Sequence, residues 1–542
     1  MTDRNFDNLL EEWIAHEFLA SPTLATQLGA DGEHGELDDL SAAAIAARIT
    51  ANRTWHERLE SVDEKGLSPA QRVDRAAVMA KIRGQQILES WEAWRRDPTV
   101  YLDPCFDGIL TLVIHRIFPD DELAAYTESR LRAVRGVLEA GKTNLTPELA
   151  SPIIVERAAA QCDAAIGYFS ETLPGEFSDT RHQESIAEAG RDAAESCRDF
   201  GAFLNELRSL ARGSYAIGEE RYSALLQERE LLSYGTEELR KRGRAAFVEL
   251  DDEMNEVART IDPTTTNWRP VFEGSSANHP SDFEELRTRY ADETEKTRTF
   301  LVEHELVSFP DDERCVVEPT PAVLRPILAV ASYFSPPAFR PGRLGHFNVP
   351  WPPDGSSQQD RDRRLAANSS QSIPTITAHE AYPGHHWHLT WMKATPRRIR
   401  HLVHSSYFSE GWALYAEKMM REQGYFSDQT SLLGHLNARI WRAGRIVVDT
   451  GLHIGDLSFD EAVKYMHEQV GLPEPVARAE VGRYCQWPTQ APSYLTGSLE
   501  IERIREQYFT DQRGDLRAFN DSIAGTGTLP LALAERALIE SG

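Results

Sequence analysis

The chain has 542 residues with 58 Lys and Arg against 85 Asp and Glu, a formal net charge of −27. No basic cluster is present to displace the counterions of a phosphate backbone, so nucleic acid is disfavoured as a partner. An apolar fraction of 41% with 11 Trp and 21 Phe supplies a sizeable core and excludes wholesale disorder. The five cysteines, Cys105, Cys162, Cys197, Cys315 and Cys485, are scattered and odd in number, which speaks against a disulfide framework or a thiolate zinc site and fits a reducing cytoplasm. The first twenty residues carry Asp7, Glu11, Glu12 and Glu17 rather than a basic start and an apolar run, and nowhere do about 18 apolar residues follow one another. A cleaved leader, a spanning segment and a membrane partner are therefore not expected.

In chain order, Phe6, Leu9, Leu10, Trp13, Ile14 and Phe18 recur at helical spacing, and Ser68-Pro69 has the form of an N-cap and first helical residue. Thr172 to Asp179 reads as a loop. Leu239, Phe247, Leu250, Met254, Val257 and Ile261 line another helical face, followed by a loop from Asp262 to Pro280 and a capping box at Ser281 and Glu284. Ten of the 29 prolines fall between Pro310 and Pro353, where helix interiors are ruled out. Within this stretch Ala329–Phe334 and Gly345–Val349 read as short strands of an edge sheet or hairpin. Helical patterning resumes near Ile373 and is interrupted around Gly424, Gly455 and Trp487–Tyr494. The expected fold is mainly α, with an N-terminal helical lobe over 1–235 and a helical catalytic lobe over 236–542 that carries a small β element near 313–350.

Four of the 17 histidines lie in His379-Glu380-Ala381-Tyr382-Pro383-Gly384-His385-His386-Trp387-His388. Imidazole and carboxylate form a ligand set that zinc accepts, and Glu380, beside His379, is placed to act as general base toward a water. The common H-E-x-x-H spacing puts both His one turn apart, but Pro383 occupies the fourth position here. On a straight helix His385 lies about 120° round and about 9 Å along from His379, so a local widening at Pro383-Gly384 is expected to bring it back. His386 has the better face but lies about 10.5 Å along the axis. His385 is preferred as ligand, with His386 left as a substrate contact. The third ligand is Glu410 in F-S-E-G-W-A-L-Y-A-E, at the opening of a second helix, and Glu417 two turns on is either a partner to a ligand or a surface charge.

These two motifs, R-I-V-V-D-T-G-L-H from Arg445 to His453, and Arg483-Tyr484 with P-T-Q-A-P-S-Y-L-T-G from Pro488 to Gly497, resemble the bacterial family catalogued as domain of unknown function 885. That family in turn resembles the helical gluzincin metallopeptidases, whose large helical body holds zinc by two His and a Glu in a deep cleft. The resemblance implies Zn2+ as cofactor, metal ligands His379, His385 and Glu410, and a peptide or small amide as substrate. Tyr494 matches the position from which such enzymes present a phenol to the oxyanion. His453, with Asp449 one turn before it, is expected in a catalytic or supporting role. Arg483 is expected to hold a substrate carboxylate or an internal Glu. Asn348 lies on the strand that could align an extended substrate by edge pairing. Alternatives are a non-haem iron or manganese enzyme on the same His/His/Glu set, or a non-catalytic binding protein of the same fold. Glu380 next to a ligand favours hydrolysis.

Overall fold

The protein, described here from a computed structural model at residues 3–178, 181–325, 328, 330–353, 355–511 and 514–541, is mainly α-helical with one three-stranded sheet. It divides into two compact units, Met1–Ile217 with Pro337–Pro341 and Gly218–Pro336 with Gly342–Gly542. The division expected at 235/236 therefore falls inside the second unit. Residues 218–235 are tied there because the Tyr222 hydroxyl donates to the Asp449 carboxylate and the Gly218 N–H to the His453 carbonyl at 2.9 Å.

In the first unit the helix Gln183–Leu210 packs against Asp120–Asn144 and Pro152–Gly167. Its buried face, Ile186, Ala189, Gly190, Ala193, Cys197, Phe200 and Leu204, follows the three-to-four spacing and is rich in small residues that let helices approach closely. Ser68 caps the helix Pro69–Ser90 in a reciprocal box with Gln71, as its sequence suggests.

The second unit is built around buried helices. Thr236–Ile261 lies along Gln429–Ile454, with Gly243 pressed on Ile446. The stretch 262–280 is not all loop: Asn267 caps a helix, Trp268–Ser276, inside it. The next helix starts one residue later than Ser281 suggests, because Asp282 accepts the Glu285 N–H as its cap.

The sheet consists of β1 (Glu313–Pro319), β2 (Ser332–Phe334) and β3 (Arg343–Val349), in the order β1-β3-β2. β3 is central, parallel to β1 with Glu313 opposite Arg343 and antiparallel to β2 with Ser332 opposite Asn348. A simple hairpin is thus replaced by a mixed sheet. The expected strand 329–334 begins at Ser332, and Ala329 lies outside the described residues. No helix among the described residues is long and apolar enough to cross a membrane.

Candidate metal centre

The expected widening at Pro383 does not occur; the helix stops. Ile373–Glu380 ends at Glu380, four residues form a tight connection, and a new helix, His385–Met392, begins at His385. Pro383 cannot supply the N–H that would continue the ladder to the His379 carbonyl. Gly384 then lies so close to the carbonyls of Ala378 and His379 that any Cβ there would collide with them. The indole N–H of Trp412 donates to the Pro383 carbonyl at 2.9 Å and pins the turn. The reversal brings His385 beside His379, their ring centres 4.9 Å apart at 89°.

The third member comes from the helix Ser406–Glu422. Oε2 of Glu410 lies 3.7 Å from Nε2 of His379 and 3.4 Å from Nε2 of His385. One ligand atom from each of the three residues falls within 4.8 Å of the others. Ligands about 2.0–2.2 Å from a tetrahedral ion stand roughly 3.3–3.6 Å apart, so the His385–Glu410 distance falls within the range for one zinc ion and the His379–Glu410 distance lies just above it. The side chains are 9%, 14% and 22% exposed, Glu410 the most of the three.

Behind His379 stands Glu417, 1% exposed, whose Oε1 is 2.7 Å from Nδ1 of His379. That bond turns Nε2 of His379 toward Glu410 and His385 and fixes the tautomer a metal ligand needs. Of the two readings of Glu417, partner to a ligand is the one its burial supports. Its other oxygen lies 3.6 Å from Nδ1 of His435, a fully buried residue stacked on Phe426. His435 is absent from the residues expected at this site; its one signal in the sequence is a lone His among Leu433, Leu436 and Ile440, all buried on the same helix.

Charges in the site are strongly coupled. Burial works against a charged His379, but Glu410 and Glu417 outweigh it and hold its pKa up at about 10. Burial would raise Glu410, yet the His385 and His379 imidazoles keep it well below the usual carboxylate range. A divalent cation fits this set, because it would take the place of the proton that these carboxylates otherwise hold on His379. Glu380, half-buried next to His379, is pushed up mainly by burial, with the histidines acting in the opposite sense.

Tyr494 also reaches this place, its ring nearly parallel to that of His379 with centres 6.5 Å apart. It is not in an irregular segment; it sits in the first turn of the helix Ser493–Thr510. The remaining expected site residues have other partners. His386, fully buried, faces the sheet, with Nε2 2.9 Å from Glu313 and Nδ1 3.0 Å from the Tyr333 hydroxyl, so neither nitrogen is available to a substrate. Asn348 is buried on the central strand, where both strand edges are already paired, and cannot offer edge pairing. His453 is fully buried with Nε2 2.9 Å from the Tyr484 carbonyl and 3.9 Å from Asp449. Arg483 donates to Glu480 at 2.9 Å and to Gln490 at 2.6 Å, which is the internal pairing left open by its sequence.

A family profile matches residues 22–538, a span that includes this centre. The chain belongs to the family described as bacterial protein of unknown function (DUF885). Among solved structures, this DUF885 protein is similar to a "putative lipoprotein of unknown function" from Shewanella oneidensis, with TM-score 0.81 and 20% identity over 99% of this chain and 100% of that one. It is also similar to a "putative lipoprotein" from Colwellia psychrerythraea, with TM-score 0.77 and 19% identity over 99% of this chain and 98% of that one. At these identities the likeness is one of fold. No curated protein matches the sequence.

Proposed function

We propose that this DUF885 protein is a zinc-dependent hydrolase of peptide or small amide bonds, related in chemistry to the gluzincin metallopeptidases. The observation that carries the reading is the convergence of His379, His385 and Glu410 within 4.8 Å, reached through a chain reversal, with Glu380 directly beside the first of them. Zinc held there would polarise the amide carbonyl and make water acidic enough to be deprotonated near neutral pH.

The protein's own groups divide the remaining work. Glu380, its affinity for a proton raised by burial, takes the proton from water and delivers it to the leaving nitrogen. Glu417 keeps His379 oriented. Tyr494, beside His379, donates a hydrogen bond to the oxygen on which charge develops. An oxygenase has no use for a base in the place of Glu380, and this favours hydrolysis over iron chemistry on the same ligand set.

The test is hydrolysis of a panel of dipeptides and N-acyl amino acids by zinc-loaded, chelator-stripped and Glu380→Gln protein. Activity that follows zinc and falls by roughly two or more orders of magnitude in Glu380→Gln is expected. Equal turnover in all three preparations would remove the site from the reaction.

A further inference from the structure

The helix Gln429–Ile454 brings two arginines to Tyr494: the guanidinium carbons of Arg442 and Arg445 lie 5.8 and 4.7 Å from its ring centre. Through Tyr494 they adjoin His379. Neither guanidinium is fully used. Arg445, 5% exposed, donates from Nε to the Tyr484 hydroxyl at 3.0 Å and from Nη2 to Glu480 at 2.9 Å, while its buried Nη1 has no hydrogen-bond partner among the described residues. Arg442 donates from Nη1 to the Ala438 carbonyl of its own helix at 3.1 Å, and its Nε is likewise buried without a partner.

Direct carboxylate partners are few at these guanidiniums. Arg483 draws on the same Glu480, at 2.9 Å, so Arg445 and Arg483 share one carboxylate, while Arg442 has no carboxylate at ion-pair distance among the described residues and feels Glu417 and Glu410 only from further off. Glu410 and Glu417 are engaged by histidines. Burying a guanidinium without a counter-charge is costly, and its planar fork matches a carboxylate.

We propose that Arg442 and Arg445 form a clamp for a free carboxylate of the substrate, so that the bond cut is the amide next to that carboxylate: the carboxy-terminal bond of a short peptide or the amide of an N-acyl amino acid. The proposal rests on the hydrolase reading and narrows it. In the reaction, water adds to the carbonyl carbon, the C–N bond breaks, and the proton taken from water goes to the departing nitrogen. One carboxylic acid and one amino acid result, the latter keeping the clamped carboxylate.

Binding is separable from turnover, and the test uses this. Metal-free full-length protein is titrated by calorimetry with a panel of N-acetyl amino acids and, in parallel, with their α-amides. Acids are expected to bind about ten- to hundredfold more tightly than the matching amides, the worth of a charge-assisted hydrogen bond. The preference should weaken with added salt and vanish in Arg442→Gln, a change that leaves no carboxylate stranded. Wild-type protein compared with acid and amide alone keeps the test valid should that variant fold poorly. Equal binding of acids and amides, or no binding of either at millimolar concentration, overturns the clamp. Hydrolysis of dipeptides and dipeptide amides is read separately: turnover without preference for the free carboxylate sinks the clamp and spares the hydrolase reading. Carboxylate binding with no zinc-dependent turnover does the reverse.

Discussion

A Cβ added to Gly411 would stand 2.5 Å from the Cα of Gly497, so the helices Ser406–Glu422 and Ser493–Thr510 cross backbone against backbone. Glu410 precedes one glycine and Tyr494 lies one turn before the other; the crossing therefore sets the distance between the Glu410 carboxylate and the phenol. Backbone atoms cannot step aside as a side-chain tip can. Gly497→Ala, which would also drive into the Tyr407 carbonyl, is expected to destabilise the protein by about 1–3 kcal/mol or more. Urea unfolding checks this, and an unchanged midpoint contradicts it.

Glu417→Gln keeps the shape of the side chain but weakens its hold on Nδ1 of His379. Zinc affinity is expected to fall about 10- to 100-fold, the usual cost of losing such a supporting carboxylate. Competition titration against a chelator reads the affinity, and a melt of the metal-free protein shows whether folding is intact. Unaltered affinity would make Glu417 a packing residue only.

The sequence carries the site unevenly, for reasons visible in particular residues. His379, Glu410 and Glu417 are legible because helical spacing relates each to its neighbours. His385 is legible as chemistry, but the route to it is not, since the reversal depends on backbone angles at Ala381 and Gly384 that no periodicity encodes. His386, Arg483 and His453 carry equally suitable chemistry in the sequence, yet Glu313, Glu480 and Asp449 lie beside them in the fold. Those partners come from 73, 3 and 4 residues away, and only the first is a true long-range pairing. The mixed sheet is not legible in the sequence because β1 and β3 meet in parallel across a connection that contains β2.

Asp449 gives a pH dependence of stability. Burial, only partly offset by hydrogen bonds from Tyr222 and the Thr489 N–H, raises its pKa from 3.8 to about 7. The native protein thus keeps this proton over a range in which the unfolded chain has released it. The associated stability is fully present below about pH 4 and is lost as pH rises toward 7, on the order of 4 kcal/mol in all. Unfolding free energies measured from about pH 5 to about pH 7.5 should fall more steeply for wild type than for Asp449→Asn. Parallel profiles contradict the assignment.

Tyr494→Phe removes the hydroxyl and leaves the ring between His379 and the arginines. A donor that acts as charge develops should appear in kcat more than in KM, with a loss of roughly a hundred- to thousandfold. Kinetics with a cleaved substrate, set beside the melting temperature and zinc content of the variant, checks this. An unchanged kcat makes the phenol structural.

Zinc content of the folded protein, by elemental analysis of wild type, His385→Ala and His386→Ala after loading and desalting, addresses the metal centre most directly. His385 points at Glu410, whereas His386 is engaged by Glu313 and Tyr333. One zinc per chain is expected in wild type and in His386→Ala, and none in His385→Ala. Zinc retained by His385→Ala, or lost from folded His386→Ala, would contradict the ligand set His379, His385 and Glu410.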